Sequence, residues 1–100
     1  MPLSTHKRGA SAELLACAAL VDAGFEVFRN VTPDGPIDIV VWDGETFYPI
    51  DVKRASHYIN QQGKATLKLP SKNNDHALIL CLTDTDEWVW VNEAPDHLWL

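Results

Sequence analysis

Two acidic residues occupy positions where the neighbouring sequence predicts a buried interior. Glu13 falls in a helix-forming segment, and on a helical wheel it shares the apolar stripe with Ala16 and Leu20. Asp38 is the one charged residue in the apolar, β-branched run of residues 37–42. A carboxylate in such a place is costly to bury unless it is paired or bound to a cation.

Asp51 and Lys53 add a second charged pattern. In an extended strand the side chains alternate, which places Asp51 and Lys53 on one face and Ile50 and Val52 on the other. Three inward carboxylates on adjoining elements repel one another unless a hard cation with oxygen ligands neutralises them. The residues therefore predict a divalent-metal site with a lysine beside it. Two other interpretations stay open, namely a helix rotated so that Glu13 lies at its edge, or a buried ionic cluster that is purely structural.

The elements that must position these residues follow from local sequence. Helix formers fill residues 11–23, with Ser11 as the predicted N-cap and Gly24 in the place of a C-terminal cap. Asp43-Gly44 between two apolar runs predicts a hairpin, while residues 55–74 predict loop or irregular strand. Strands are predicted at residues 25–31, 37–42, 45–53, 76–83 and 88–91, the last two around a turn at residues 84–86. The expected fold is α+β, with an N-terminal helix packed on a mixed sheet of about five strands.

Length and composition indicate one globular domain. A chain of 100 residues with 46% apolar residues predicts a single domain over residues 1–100. The sequence shows neither a membrane span nor the apolar core of a signal peptide, so a soluble, intracellular (cytoplasmic) protein without a membrane partner is expected. Cys17 and Cys81 have no CxxC spacing and are expected to be buried thiols, without a disulfide or zinc.

The charge distribution matters more than the net charge of −6. All basic residues lie at or before Lys72, and the stretch from Lys53 to Lys72 holds five of them with no acidic residue. Local patches rather than the total charge decide attraction to phosphate. A solvated basic loop is the alternative interpretation of this stretch.

Taken in order, the motifs resemble those of the PD-(D/E)XK nuclease family, with the nearest likeness to its small Holliday junction resolvase-like and intron-endonuclease-like members. The resemblance covers residues 7–55, with a looser echo over residues 75–91. The matching motifs are Lys7-Arg8-Gly9 and Ala12-Glu13 opening the helix, Gly24-Phe25-Glu26-Val27, Gly35-Pro36-Ile37-Asp38 and Ile50-Asp51-Val52-Lys53. The resemblance implies a restriction-endonuclease-like core and a Mg²⁺- or Mn²⁺-dependent endonuclease that hydrolyses DNA phosphodiester bonds, including one selective for junctions or branched DNA.

Carried over by position, the resemblance makes Glu13, Asp38, Asp51 and Lys53 the catalytic residues. The metal would be held by Glu13, Asp38, Asp51 and the carbonyl of Val52, while Lys53 would orient or activate the attacking water. Gln61 or Gln62 could support the site. The residues expected to bind DNA are basic: Lys7, Arg8, Arg54, Lys64, Lys68 and Lys72.

Two features depart from the family pattern. The family usually places a second helix after the lysine, whereas Gly63 and Pro70 argue against a helix in residues 55–74. The literal Pro-Asp pair is Pro33-Asp34, but Asp38 is preferred as the ligand because it is expected within a strand rather than in a turn. The alternative function is a noncatalytic DNA-binding or protein-interaction domain that retains the nuclease fold.

The last strand suggests self-association. Trp88 and Trp90 alternate with Val89 and Val91, so both faces of this strand are apolar. A small domain has little left to cover the second face, which predicts a homodimer through exposed tryptophans. The alternative is that residues 95–100 fold back over the tryptophans within one chain.

Overall fold

One helix and six strands make up the regular structure of the described residues. The computed structural model describes residues 5–32, 35–71 and 74–98. The elements in chain order are α1 (Thr5–Asp22), β1 (Glu26–Arg29), β2 (Ile39–Trp42), β3 (Phe47–Ile59), β4 (Ala65–Lys68), β5 (Leu78–Thr83), β6 (Trp88–Trp90) and a 3₁₀ turn (Asp96–Leu98). The predicted α+β class, with a helix packed on a mixed sheet, is confirmed. No helix within these ranges is both long and apolar enough to cross a membrane.

Helix α1 extends further toward the N-terminus than predicted. Ser11 lies inside α1, which already includes Thr5, so its assignment as N-cap was wrong. Residues 5–10 contain no proline, and Lys7 and Arg8 are good helix formers that offset the weak propensity of Gly9.

The C-terminus of α1 is closed at Gly24, as the sequence predicts. The N–H of Phe25 donates to the carbonyl of Leu20 at 3.1 Å, and the N–H of Gly24 donates to the carbonyl of Val21 at 3.0 Å. This is the Schellman arrangement, which needs a left-handed residue, and Gly24 has a φ of 100°. The chain therefore turns sharply from α1 into β1.

The sheet is mixed because its central strands run parallel. The strand order is β1-β2-β3-β5-β6, with β4 paired to the far end of β3. β3 and β5 are parallel, and every other pair is antiparallel. β2 and β3 place Ile39 opposite Ile50. The predicted hairpin at Asp43-Gly44 is confirmed, and the Asp43 Oδ1 atom accepts hydrogen bonds from the N–H groups of Glu45 and Thr46.

The connection from β3 to β5 holds a second hairpin in place of the loop or irregular strand expected over residues 55–74. β3 continues to Ile59 and pairs with β4, and the described part of this connection contains no helix. The Asn60 side chain closes the turn by accepting hydrogen bonds from the N–H groups of Gln62 and Lys64, each at 3.0 Å. Gly63 supplies the required positive φ of 75°. We call the paired segments Ser56–Ile59 and Ala65–Lys68 the ribbon.

Two apolar clusters cover the two faces of the sheet. The cluster under α1 contains Ala12, Ala16, Leu20, Ile39, Val41, Ile50, Val52, Leu80 and Leu82. The cluster on the opposite face is smaller and contains Ala55, Ile79, Cys81 and Val91, with Leu67 packed against it. Alternation along β3 thus keeps Ile50 and Val52 under the helix and leaves Asp51 and Lys53 on the other face.

The C-terminal segment covers part of the surface that was expected to mediate dimerisation. Trp88 and Trp90 are half-buried and pack against the cluster under α1. The Trp90 indole N–H donates to the carbonyl of Leu98 at 2.7 Å, and Leu98 itself is fully buried. The expectation of exposed tryptophans was therefore wrong, although the homodimer itself stays a prediction. Residues 99 and 100, the end of the segment predicted to fold back, lie outside the described residues.

Candidate active site

Asp38 lies at the point where β2 begins beside β3. It immediately precedes β2 rather than lying within it, which corrects the expected position. Its N–H donates to the carbonyl of Ile50 at 2.9 Å, and its Oδ2 atom accepts the N–H of Val52 at 2.8 Å. These bonds fix the carboxylate against β3 even though Asp38 is outside the regular strand.

The surroundings of Asp38 disfavour its ionised form. Burial, together with the neighbouring Asp51 and Glu13 carboxyls, raises its pKa from 3.8 to about 6, against the opposing effect of the hydrogen bond from Val52. A raised carboxyl pKa is characteristic of partly buried sites where like charges lie close together. Such a site gains stability when a cation arrives.

Asp51 and Lys53 lie on one face of β3, as the alternation predicts. Asp51 is buried, and the Lys53 Nζ atom lies 3.5 Å from the Asp51 Oδ2 atom. The Asn74 side-chain amide also donates to Asp51 Oδ2 at 3.2 Å and to the carbonyl of Pro36 at 2.9 Å. Asn74 therefore ties Asp51 to the segment leading into Asp38, a contact that the sequence did not reveal.

Glu13 reaches the site from α1 and is paired with a residue that the sequence analysis missed. The Arg29 Nε atom donates to the Glu13 Oε1 atom at 3.0 Å, and the Glu13 side chain is 19% exposed. The available signal was the isolation of Arg29, which is the only basic residue between Arg8 and Lys53. Because β1 follows α1 through the sharp turn at Gly24, Arg29 comes to lie across from Glu13.

A cavity of about 700 Å³ joins the four residues predicted to be catalytic. Glu13, Asp38, Asp51 and Lys53 all line it, together with Val52 and Arg29. The carboxylates offer the hard oxygen donors that Mg²⁺ and Mn²⁺ prefer, so the donor chemistry fits such an ion. Within the described residues, however, no three His, Cys, Asp or Glu side chains are grouped closely enough to hold a metal by themselves. The Arg29 pair occupies one Glu13 oxygen in this arrangement.

Comparison with known proteins bears on the fold. No protein-family profile matches this chain, and no curated protein matches it. A solved structure does. The bacterial homing endonuclease I-Ssp6803I superposes with a TM-score of 0.63 and 13% sequence identity, over 94% of this chain and 82% of that one. At this identity the likeness shows that the two chains share a fold, and it does not show that they share a function.

The residues expected to contact DNA fall into different environments. Lys64 and Lys68 are exposed on the ribbon, and Arg8 is exposed on α1. The Arg54 side chain is bound to the helix, because its Nε atom donates to the carbonyl of Arg8 at 2.9 Å. Lys7, also on α1, is exposed. Lys72 and Asp34 lie outside the described residues.

Gln61 and Gln62 do not line the cavity. Both lie in the exposed turn of the ribbon, so the suggestion that either supports the site finds no contact here. Burial raises the pKa of the Cys81 thiol to about 11 and raises that of the Cys17 thiol, so both thiols stay protonated at neutral pH. Both cysteines are free; Cys81 is buried as predicted, whereas Cys17 is only partly buried.

Proposed function

We propose that this protein is a metal-dependent endonuclease that hydrolyses DNA phosphodiester bonds, and that it is a PD-(D/E)XK nuclease with a restriction-endonuclease-like core. The observation that carries the proposal is the meeting of Asp38, Asp51 and Lys53 at one end of the β2–β3 pair, in a cavity that Glu13 also lines. The raised pKa of Asp38 adds to this, because burial and then the neighbouring Asp51 and Glu13 carboxyls disfavour its ionised form, and such shifts cluster at functional sites.

The residues that would hold Mg²⁺ or Mn²⁺ are Asp38, Asp51 and the carbonyl of Val52, with Glu13 as a further donor. When bound, such an ion supplies polarisation of the phosphoryl oxygen and a water of lowered pKa. Asn74 would keep Asp51 in place by its hydrogen bond to Oδ2, and Val52 would do the same for Asp38 through its N–H.

Lys53 and Arg29 supply the positive charge on the protein side. The Lys53 side chain is 50% exposed at the cavity, so its ammonium group can approach a phosphate or orient a water. Arg29 is equally exposed, and its guanidinium group has further N–H donors beyond the one that binds Glu13. Both would stabilise the extra negative charge of the transition state.

Cleavage assays test this function directly. Purified protein would be incubated with Mg²⁺ or Mn²⁺ and labelled four-way junction, flap and linear duplex DNA. We expect metal-dependent strand cleavage that falls by at least about a hundredfold in Asp51→Asn and Lys53→Ala. Glu45→Gln removes an exposed carboxylate outside the cavity and should leave the rate unchanged. Folded wild-type protein that cleaves none of the substrates with either metal would contradict the proposal.

Metal binding is measurable without activity. Mn²⁺ at tenfold over its dissociation constant should stabilise the wild-type protein by about 1.4 kcal/mol, which appears as a higher melting temperature. Asp51→Asn should lose this response and Glu45→Gln should keep it. An equal response in all three proteins would place the ion elsewhere.

A second candidate is a noncatalytic DNA-binding domain with the same fold. It is favoured by the Glu13–Arg29 ion pair, which neutralises the third carboxylate without a metal. In that case the wild-type protein binds DNA in EDTA, shows no metal-induced rise in melting temperature and cleaves no substrate.

A further inference from the structure

The ribbon projects from the main sheet as a two-stranded arm. The parallel pairing of β3 with β5 ends at Ala55 opposite Thr83, and from Ser56 onward β3 pairs with β4. The protein is correspondingly elongated, with extents of 45 × 33 × 26 Å. A ribbon of this kind offers both of its faces to the surroundings unless something covers one.

One face of the ribbon is anchored to the body. Residues directly opposite each other in an antiparallel pair share a face, so His57, Ile59, Ala65 and Leu67 form one set. His57 is held by Asp84, which accepts from its N–H at 2.9 Å and contacts its Nδ1 atom at 2.5 Å. Leu67 packs against the cluster on that side of the sheet. We call this the anchored face.

The opposite face is polar and basic. It contains Ser56, Tyr58, Lys64, Thr66 and Lys68. Lys64, Lys68 and Tyr58 are exposed, and neither lysine forms an ion pair with a described residue. No acidic residue occurs in the sequence between Lys53 and Lys72. We call this the basic face.

The basic face is continuous with the candidate active site. Ser56, at its base, lines a cavity of about 420 Å³ together with Arg8, Arg54 and Lys53. That cavity shares Lys53, Val52 and Gly9 with the larger one. Along β3 this face continues through Arg54, so positive side chains lead from Arg8 and Arg54 out to Lys68 and Lys64, while the net charge of the whole chain is −6.

We propose that the ribbon docks in the major groove of double-stranded DNA through its basic face, an inference that rests on the proposed nuclease function. The major groove is about 12 Å wide and admits a two-stranded β-ribbon, whose strands lie about 4.8 Å apart. Lys64, which directly precedes β4, and Lys68, the last residue of β4, contact the phosphates that border the groove. Tyr58 and Thr66, opposite each other between them, face the base edges. The anchored face keeps the ribbon attached to the sheet during binding.

Binding measured in EDTA tests the docking separately from cleavage. The affinity of the full chain for a labelled duplex would be followed by fluorescence anisotropy over a range of salt concentrations. Lys64→Ala combined with Lys68→Ala should raise the dissociation constant about tenfold or more and lower the slope of log K against log salt by about 2, because two phosphate contacts are lost. The melting temperature should not change, since both side chains are exposed.

A control on the anchored face isolates the effect of the basic face. Ile59→Thr alters an exposed residue of the same ribbon and keeps a β-branched side chain, so it should leave both the affinity and the salt slope unchanged. Methyl green, a major-groove ligand, should displace the protein, whereas a minor-groove ligand such as distamycin should not. The proposal is overturned if the double lysine variant binds like the wild type, if distamycin alone competes, or if single-stranded DNA binds more tightly than duplex.

The two proposals fail in different ways. If the wild-type protein cleaves DNA with metal but its DNA affinity does not depend on Lys64 and Lys68, the proposed ribbon docking is wrong and the proposed nuclease function is retained. If duplex binding depends on these lysines but no cleavage occurs with either metal, the docking proposal is retained and the nuclease function is wrong.

Discussion

At the scale of single residues, the ionised carboxyl group of Asp38 destabilises the folded protein. Asp38 is held beside Asp51 at a half-buried position, where desolvation and repulsion both oppose its ionisation. The Val52 N–H offsets part of this cost. Free energy stored in this way is recovered only when a cation or a proton reaches the carboxyl group.

Replacing Asp38 should therefore stabilise the metal-free protein. In the folded state its pKa is raised to about 6 from its ordinary 3.8. Well below pH 4 the group is protonated in both states and costs nothing. The penalty grows between about pH 4 and pH 6, where the unfolded state is ionised and the folded state still holds the proton, and it is constant above that range. A rise of this size corresponds to about 3 kcal/mol in a fully buried group, and solvent screening reduces it to about 1 kcal/mol here.

Urea unfolding in EDTA would check this. Asp38→Asn should be more stable than the wild type at pH 7 and above, with an advantage that shrinks below pH 6 and vanishes near pH 4. The asparagine oxygen can still accept the Val52 N–H. Glu45→Gln, at an exposed turn position, should show no such pH dependence. A loss of stability in Asp38→Asn at every pH would mean that the ionised carboxyl is favourable as it stands.

At the scale of elements, α1 and its termination set the position of Glu13. The Schellman turn at Gly24 reverses the chain so that β1, and with it Arg29, runs back beneath the helix. Gly9 lies within α1, where a methyl group added at its Cα would meet no atom within 4 Å. The same substitution at these two glycines therefore has opposite physical consequences.

Gly24→Ala should destabilise the protein by about 1 kcal/mol, because alanine is strained at a φ of 100°. Gly9→Ala should stabilise it by about 0.5–1 kcal/mol, because alanine is the better helix former. Denaturant unfolding curves for the two variants would measure both changes. Equal shifts in the same direction would show that α1 does not end at Gly24 in solution.

At the scale of the whole molecule, the end of the described chain closes one end of the sheet. The 3₁₀ turn places Leu98 in a fully buried position and caps the Trp90 indole. His97 in the same turn contacts the carboxylate of Asp43, in the turn of the β2–β3 hairpin, at 2.8 Å. Backbone hydrogen bonds from Glu45 and Thr46, with a smaller contribution from His97, lower the pKa of Asp43 to about 2. The segment thereby joins β6 to the opposite part of the sheet.

Leu98→Ala should cost about 2–4 kcal/mol, the usual range for removing a buried leucine side chain. The matched change Leu14→Ala lies on the outer side of α1, where the leucine is 53% exposed, and it should alter stability by less than about 0.5 kcal/mol. Chemical denaturation followed by tryptophan fluorescence would report both. A Leu98→Ala protein as stable as Leu14→Ala would show that this turn is not docked.

Much of the site could be predicted from short stretches of sequence. The cap at Gly24, the hairpin at Asp43-Gly44 and the shared face of Asp51 and Lys53 depend on backbone preferences within a few residues. The same holds for the absence of a helix in the described part of residues 55–74. A carboxylate within an apolar run identified Asp38 as unusual for the same local reason.

Tertiary structure decided which groups meet. Arg29 pairs with Glu13, Asn74 supports Asp51, and Leu98 covers Trp90. No local pattern marks such partners, because any of several polar or apolar side chains satisfies the same local preferences. The start of α1 is a further example. The helix begins at Thr5 rather than after a cap at Ser11, and the Arg54 side chain of β3 binds the backbone of this first part of the helix at Arg8. The sequence determines the conformations available to each segment, and the choice of partners depends on the sheet register and crossover that bring distant segments together.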